Sequence, residues 1–216
     1  NFEEYFTASS FLQYSNALKV VRTENTGIIN AVTNGGSAVL VKNTDHYNST
    51  YLADGAYTGI SGREFVARTA GAYGNGLSVS VCPSATAYEQ EAVTTVNDSA
   101  VSVGDTTITM TSGTNINVGD IIAFSTTAAT NDYDDGIEYE VTAVSSNDIT
   151  IKKRVGTGGL TRVIVDGANV RRRWSHYDSV SGAPGTSPDV AAAGGSDDEL
   201  HIVVIDADGS ISGTKG

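Results

Sequence analysis

Hydrophobic and polar residues alternate with two different periods along this chain. Near its start, apolar residues recur at three- and four-residue steps over residues 3–15, the spacing that places them on one face of a helix. The next apolar run, residues 17–22, is short and predicts a strand, and strict alternation predicts another strand at 77–82. Because a helix leads directly into a strand, this part of the chain predicts a mixed α/β layer.

The middle of the chain has strand patterning only. Short apolar or alternating runs follow one another at intervals of about ten residues, and turn sequences rich in Gly, Asn and Asp separate them. The predicted strands are 99–103, 106–111, 121–124, 137–144, 148–153 and, as a candidate sixth, 160–165. Short strands at regular spacing predict a small barrel or sandwich.

The last part of the chain returns to mixed character. Residues 174–196 are predicted to be a loop, and 200–205 to be the most apolar strand, central in a sheet. We therefore expect a β-rich α+β fold. A discontinuous α/β domain, residues 1–88 and 172–216, would carry an all-β domain inserted at 89–171, because an insertion into a surface loop disturbs few buried contacts.

Composition narrows the class of function. Lys and Arg total 13 and Asp and Glu total 25, so the formal net charge is −12. Nucleic-acid backbones and anionic membranes both favour clustered positive charge, so we expect neither as a partner. Cys82 is the only cysteine in the sequence, which excludes an internal disulfide and a cysteine-based zinc site. Its place in an alternating strand predicts a small core residue.

Asp206 and Asp208 begin a DxDGxI pattern that is similar to the first half of a calcium loop. An EF-hand loop needs glycine at its sixth position, and Ile211 stands there instead. An Asp-Gly hairpin turn explains the same residues better, so they are weak metal candidates. A second acidic cluster, residues 131–136, is interpreted as a solvated hairpin tip. We expect no metal and no cofactor.

Arg171, Arg172 and Arg173 form a basic cluster, and Trp174 follows directly. Basic residues beside an aromatic one can contact nucleic acid, but the net charge disfavours that partner. Contact with an acidic patch on a neighbouring subunit or domain is the favoured interpretation, and a solvated face is the alternative. No spacing of nucleophile, base and acid indicates catalysis, so we expect no enzyme.

Three segments together resemble the tail sheath proteins of contractile-tail bacteriophages. They are YFTASSFLQYSNALKVVR at 5–22, FVARTAGAYGNGLSVSV at 65–81 and DELHIVVIDADGSISGTKG at 198–216. In that family a helix with a Phe-Leu-x-Tyr core leads into a strand that ends in Val-Val-Arg, and a turn precedes an alternating strand. The chain departs from the family at Ala70, where proline is commoner. The β-rich middle is similar in kind to the outward-facing domains that sheath proteins carry as insertions.

The resemblance implies a structural virion protein. It implies a middle fragment of a sheath subunit, assembled in the host cytoplasm into stacked hexameric rings around the tail tube. Contraction of the sheath drives the tube through the host envelope for genome ejection. Partners would be other sheath subunits, with the tail tube and baseplate bound through parts outside this fragment, which alone would be monomeric. The alternative is a β-rich surface adhesin or carbohydrate-binding module, with or without calcium.

Overall fold

The computed structural model describes residues 2–18, 27–33, 39–51, 65–133 and 135–214. The chain divides into two compact units, Asn1–Ser78 with Ile205–Gly216, and Val79–Val204. The described residues contain many strands and few, short helices. The expected β-rich α+β class is therefore confirmed.

The first helix lies where the apolar periodicity placed it. Helix α1 is Phe2–Leu12, close to the predicted range 3–15. The strand predicted at 17–22 is not described in full. Residues 17 and 18 lie in no helix or strand, and residues 19–22 lie outside the described residues.

A small antiparallel sheet of the first unit joins β1 (Asn30–Val32) to β2 (Val66–Ala70). Asn30 is 1% exposed and fixes this sheet through its side chain. Its Nδ2 donates to the carbonyl of Ala67 at 2.7 Å, and its Oδ1 accepts from the N–H of Val41 at 2.7 Å. One buried amide thus satisfies backbone groups of two other segments that are distant in sequence.

Two short helices and one strand precede the central sheet in the chain. Helix α2, Thr44–Thr50, begins where the Asn43 side chain accepts the N–H of His46. Strand β3 is Leu77–Cys82, as strict alternation predicted. Cys82 is fully buried, so its predicted place in the core is confirmed. A single helical turn, α3 (Ala85–Tyr88), leads from β3 towards the central sheet.

Six strands form the central sheet of the second unit. In chain order they are β4 (Glu89–Thr95), β5 (Thr107–Thr109), β6 (Ile121–Ala128), β7 (Tyr139–Ser145), β8 (Asp148–Lys153) and β9 (Ala168–Arg173). Their order in the sheet is β4-β9-β6-β7-β8-β5, and every neighbouring pair is antiparallel.

The sheet closes on itself as a barrel, because its two outer strands also meet. Val96, directly after β4, bridges Met110, directly after β5. The N–H of Asn97 donates to the carbonyl of Thr109 at 2.9 Å, and that of Thr111 to the carbonyl of Thr95 at 2.8 Å. Closure removes the unpaired sheet edges that invite aggregation.

One hydrophobic core fills the barrel. Its largest fully buried side chains come from β5, β6, β7 and β8 and from the adjoining loops: Tyr139, Phe124, Ile108, Met110, Ile122, Ile149, Ile151 and Leu160. Burial of each such side chain contributes about 1.5–3 kcal/mol to folding. The interior of the barrel is thus filled with side chains, and the candidate functional residues lie on its outside and at its ends.

Two of the strands predicted in this section are wrong. Residues 99–103 and 160–165 lie in loops, and the strands that the sequence did not predict are β4 and β9. Val101, Leu160 and Ile164 are nevertheless only 2–5% exposed and belong to the barrel core, whereas Val103, Val163 and Val165 are 40–63% exposed. The apolar pattern therefore marked core residues in part and predicted the local conformation wrongly.

The last strand, β10 (His201–Asp206), confirms the strand predicted at 200–205 but not its central, buried position. It pairs with β3 in a two-stranded sheet. Ile202 and Val204 are 51% and 61% exposed. A continuous apolar run does not distinguish a strand buried on both faces from one buried on one face, which explains the error.

The segment 174–196, predicted as a loop, contains two helical turns. A 3₁₀ turn spans Tyr177–Ser179, and helix α4 spans Pro188–Ala192. The side chain of Ser187 accepts the N–H of Val190 at the start of α4. Serine followed by proline is a helix-start signal, so this helix was predictable from the sequence.

Candidate functional site

The Asp206 carboxylate organises the turn that follows β10. Its Oδ1 accepts the N–H of Gly209 at 3.1 Å, and its Oδ2 accepts the N–H groups of Ile211 at 2.9 Å and Ser212 at 2.6 Å. The backbone N–H of Ser212, above all, lowers the pKa of Asp206 to about 2. The oxygens that a cation would need are already acceptors for backbone donors.

Asp208 has a similar local role. Its Oδ1 accepts the N–H of Ser210 at 2.9 Å, and its side chain lies so close to Gly76 that a Cβ there would clash with it. Within the described ranges, no group of three or more His, Cys, Asp or Glu side chains could hold a metal ion. The geometry therefore assigns both aspartates to the turn.

The second acidic cluster is more involved in internal contacts than a solvated tip would be. Asp135 forms an ion pair with Arg162 at 2.5 Å. Asp132 accepts the hydroxyl hydrogen bond of Thr126 at 2.5 Å, and Tyr133 is 8% exposed. These contacts tie the β6–β7 loop back to the barrel.

Two of the three arginines predicted as a subunit contact are enclosed by their own chain. The Arg171 guanidinium lies over the Tyr133 ring, 4.6 Å from its centroid. Arg172 is buried, and its NH2 donates to the carbonyls of Thr86 at 2.6 Å and Ala87 at 3.2 Å. Those carbonyls belong to α3, so Arg172 links the exit strand of the barrel to the segment that enters it.

Arg172 also faces a buried carboxylate. Its NH1 lies 3.7 Å from Asp120 Oδ2. Burial raises the pKa of Asp120, and the N–H of Asn117 and the charge of Arg172 act against that rise. Neither charge is exposed, so each depends on the other for compensation.

The third arginine, Arg173, belongs to a cluster that sequence reasoning missed. Its Nε and NH2 donate to the Glu89 carboxylate at 2.9 and 3.3 Å, and its NH1 donates to Glu138 Oε1 at 2.9 Å. The Tyr177 ring lies between two guanidinium groups, since Arg154 and Arg173 are each 4.8 Å from its centroid. The Tyr177 hydroxyl donates to Glu138 Oε2 at 2.7 Å and accepts from Arg154 NH1 at 2.6 Å. We call these five residues the neck clasp.

The surroundings of Glu138 and Tyr177 in the neck clasp keep each of these two residues in one protonation state. Burial alone would raise the pKa of Glu138, but hydrogen bonds from Tyr177 and Arg154 and the charge of Arg154 outweigh it and lower that pKa. Burial, followed by the hydrogen bond to Glu138, raises the pKa of Tyr177. The Glu138 carboxylate therefore stays charged and the Tyr177 phenol stays neutral near neutral pH.

Trp174 is unavailable for stacking on a nucleobase. It is 5% exposed, and its indole N–H donates to Ser80 Oγ at 2.7 Å. The His201 ring stacks on it at 6.2 Å between centroids, and His176 meets it edge-on at 5.3 Å. The arginine–tryptophan sequence therefore supports no nucleic-acid interface.

Two surfaces each expose several apolar side chains. The α1 surface consists of six residues that are each more than 45% exposed: Phe2, Tyr5, Phe6, Phe11, Leu12 and Tyr14. The β10 surface consists of Val81, Leu200, Ile202 and Val204. Scattered apolar residues are ordinary on protein surfaces, whereas grouped ones indicate an interaction site.

Sequence reasoning found the arginines but not their partners. Arg154 lies 16 residues from Glu138 and 23 from Tyr177, and no local motif connects them. The available signal was the run of three arginines itself. Alternate residues of a barrel strand face inwards, so at least one of the three had to be buried and to need an acidic or carbonyl partner.

Comparison with protein-family models finds no match, and comparisons with curated proteins and with solved structures find none either. None of the helices in the described part of the chain is long and apolar enough to cross a membrane. The similarity to tail sheath proteins and the contact of Arg171, Arg172 and Arg173 with a neighbouring subunit both stay predictions.

Proposed function

We propose that this chain is a structural part of a contractile phage tail sheath, and the α1 and β10 surfaces carry the proposal. Five of the six α1-surface residues lie within segment 5–22, and three of the four β10-surface residues lie within 198–216. These are two of the three segments that resemble sheath proteins. A subunit of a helical assembly buries such apolar surface against its neighbours.

The arrangement of the chain supports the same proposal. Glu89, the first residue of the barrel, pairs with Arg173, its last, so chain entry and exit lie side by side. Adjacent ends are what an inserted domain requires. In this proposal the barrel decorates a discontinuous α/β domain. The insert predicted at 89–171, between 1–88 and 172–216, lies inside the compact unit Val79–Val204 and ends two residues before β9 does.

The proposed mechanism is mechanical. Sheath subunits form hexameric rings around the tail tube, and contraction is a rigid-body movement between two packed arrangements. Other sheath subunits are the main partners, and the tube and baseplate bind elsewhere on the subunit. The protein assembles in the host cytoplasm and belongs to the virion. It needs no cofactor and performs no catalysis.

The test is assembly of the complete gene product that contains this sequence. We expect negative-stain electron microscopy to show rings or tubes with sixfold symmetry. Val204→Lys, which places a charge on the β10 surface, should abolish them. Val155→Lys is the matched control, because Val155 is 88% exposed in a barrel loop outside both surfaces, and it should assemble normally.

The alternative function gives a different result in the same experiment. A β-rich adhesin or carbohydrate-binding module would remain monomeric, and its thermal midpoint would rise with a glycan or with calcium. That outcome, or assembly that Val204→Lys leaves intact, would contradict the sheath proposal.

A further inference from the structure

The chain enters and leaves the barrel at the neck, residues 88–89 and 173–174, where the β4–β9 ladder is interrupted. Strands β4 and β9 meet there through Glu89–Arg173 and the next pair inwards. Beyond these two pairs the register shifts, between Gln90 and Thr94, and Ala92 in that interval has φ 48°. A bulge interrupts the ladder, so between the bulge and the neck the two strands share two regular backbone pairs.

Side chains from four parts of the chain converge on this point. Glu89 precedes the bulge in β4, and Arg173 ends β9. Glu138 lies just before β7, and Arg154 lies just after β8. Tyr177 follows the neck and touches three of the four: its ring lies against both guanidinium groups, and its hydroxyl bonds Glu138 and Arg154.

The entering and leaving segments are also joined directly. The Trp174 N–H donates to the Tyr88 carbonyl at 2.8 Å, and the Tyr88 hydroxyl donates to the Tyr177 carbonyl at 2.9 Å. Outside the five clasp residues, Asp178 extends the cluster through an ion pair with Arg154. Charge-assisted hydrogen bonds in a partly buried network are stronger than neutral ones at the surface.

We propose that the neck clasp is a conformational lock, which keeps β4 and β9 paired at the neck when the flanking chain moves. Tyr177 is its central positioning residue, because it alone contacts both arginines and Glu138. The lock offsets the interrupted ladder at the one place where both chain ends leave the barrel. This inference rests on contacts within the second unit and does not depend on the proposed function.

Hydrogen exchange on the full chain, followed by mass spectrometry, tests the lock. Tyr177→Phe keeps the ring between the arginines and removes the hydroxyl bonds. We expect exchange at the neck ends of β4 and β9 to accelerate by about tenfold or more, with no change in β8. Asp178→Asn removes only the outer ion pair, whose carboxylate side is 56% exposed, and should accelerate exchange at the same positions by a smaller factor.

The matched control is Thr109→Val. The Thr109 hydroxyl donates to Asp148 Oδ1 at 2.7 Å, a side-chain bond between β5 and β8 that involves no residue of the neck. Its removal should leave exchange at the neck unchanged. Equal acceleration in all six strands of Tyr177→Phe would overturn the proposal, because Tyr177 would then contribute to general stability only. Unchanged exchange at the neck in both Tyr177→Phe and Asp178→Asn would also overturn it.

Discussion

The carboxylates of Asp206 and Asp208 accept hydrogen bonds mainly from backbone N–H groups of the residues that follow them. Asp206 accepts hydrogen bonds from Gly209, Ile211 and Ser212, and these bonds fix the turn after β10. Asp208 does the same for Ser210. A short acidic pattern that resembles half of a calcium loop can thus equally well form a turn, in which the carboxylates accept hydrogen bonds from the backbone N–H groups of that turn.

The bonds to Asp206 predict a pH dependence at this residue. Its pKa is about 2 in the folded chain, below the usual value of about 3.9. The stabilisation is therefore fully present above about pH 4 and is lost as the pH falls towards 2. We expect Asp206→Asn to lower the thermal midpoint at pH 7 and the difference from the native chain to shrink steadily between pH 4 and 2. A difference that stays constant across this range would count against the assigned role.

Strand β9 shows how an element's position changes the meaning of its sequence. Three consecutive arginines suggested an exposed basic patch, yet the strand lies between β4 and β6. Arg172 is consequently buried, while Arg171 and Arg173 lie against tyrosine rings and carboxylates. The charges of β9 hold neighbouring elements of the second unit together.

Removal of Arg172 should therefore destabilise the barrel strongly. Arg172→Met removes the positive charge that compensates buried Asp120 and the side-chain donor to the carbonyls of Thr86 and Ala87. We expect a loss of about 3 kcal/mol in the free energy of unfolding. Urea unfolding followed by the fluorescence of Trp174, the only tryptophan, measures it.

Two further variants make this measurement specific. Asp120→Asn in the Arg172→Met background should recover part of the loss, because it removes the uncompensated buried charge. Lys152→Met breaks only the exposed pair with Glu140 at 3.0 Å and should cost less than about 1 kcal/mol. Equal losses in Arg172→Met and Lys152→Met would show that burial of Arg172 does not matter.

At the scale of the whole molecule, arginines and carboxylates of the second unit form ion pairs with each other, and apolar side chains lie exposed on the described surface. The barrel closes, its core is filled, and its ion pairs are compensated within the chain. The α1 and β10 surfaces remain apolar and exposed.

We predict that the stability of the whole molecule does not depend on a divalent ion. A site that bound calcium at a hundred times its dissociation constant would add about 2.7 kcal/mol to stability. Because backbone donors occupy Asp206, we expect the thermal midpoint in excess calcium and in chelator to agree within experimental error. A rise of several degrees with calcium, lost in Asp206→Asn, would favour the adhesin alternative.

The sequence predicted much of the fold through local patterns. Period and turn chemistry located α1, β3 and β8 within a few residues. The prediction failed at β4 and β9. These strands carry polar and charged residues on their exposed positions and so lack a continuous apolar run, although Val96, Ala168 and Val170 lie in the core.

What the sequence alone determined is the class of fold, the acidic balance, the single cysteine and the turn at Asp206, because each depends on composition or on neighbouring residues. Only the tertiary structure decided that the sheet closes through Val96 and Met110, that β10 is exposed on one face, and that Arg173 meets Glu138 and Tyr177. Those features join residues far apart in sequence, and their partners become neighbours only when the barrel strands pair in register.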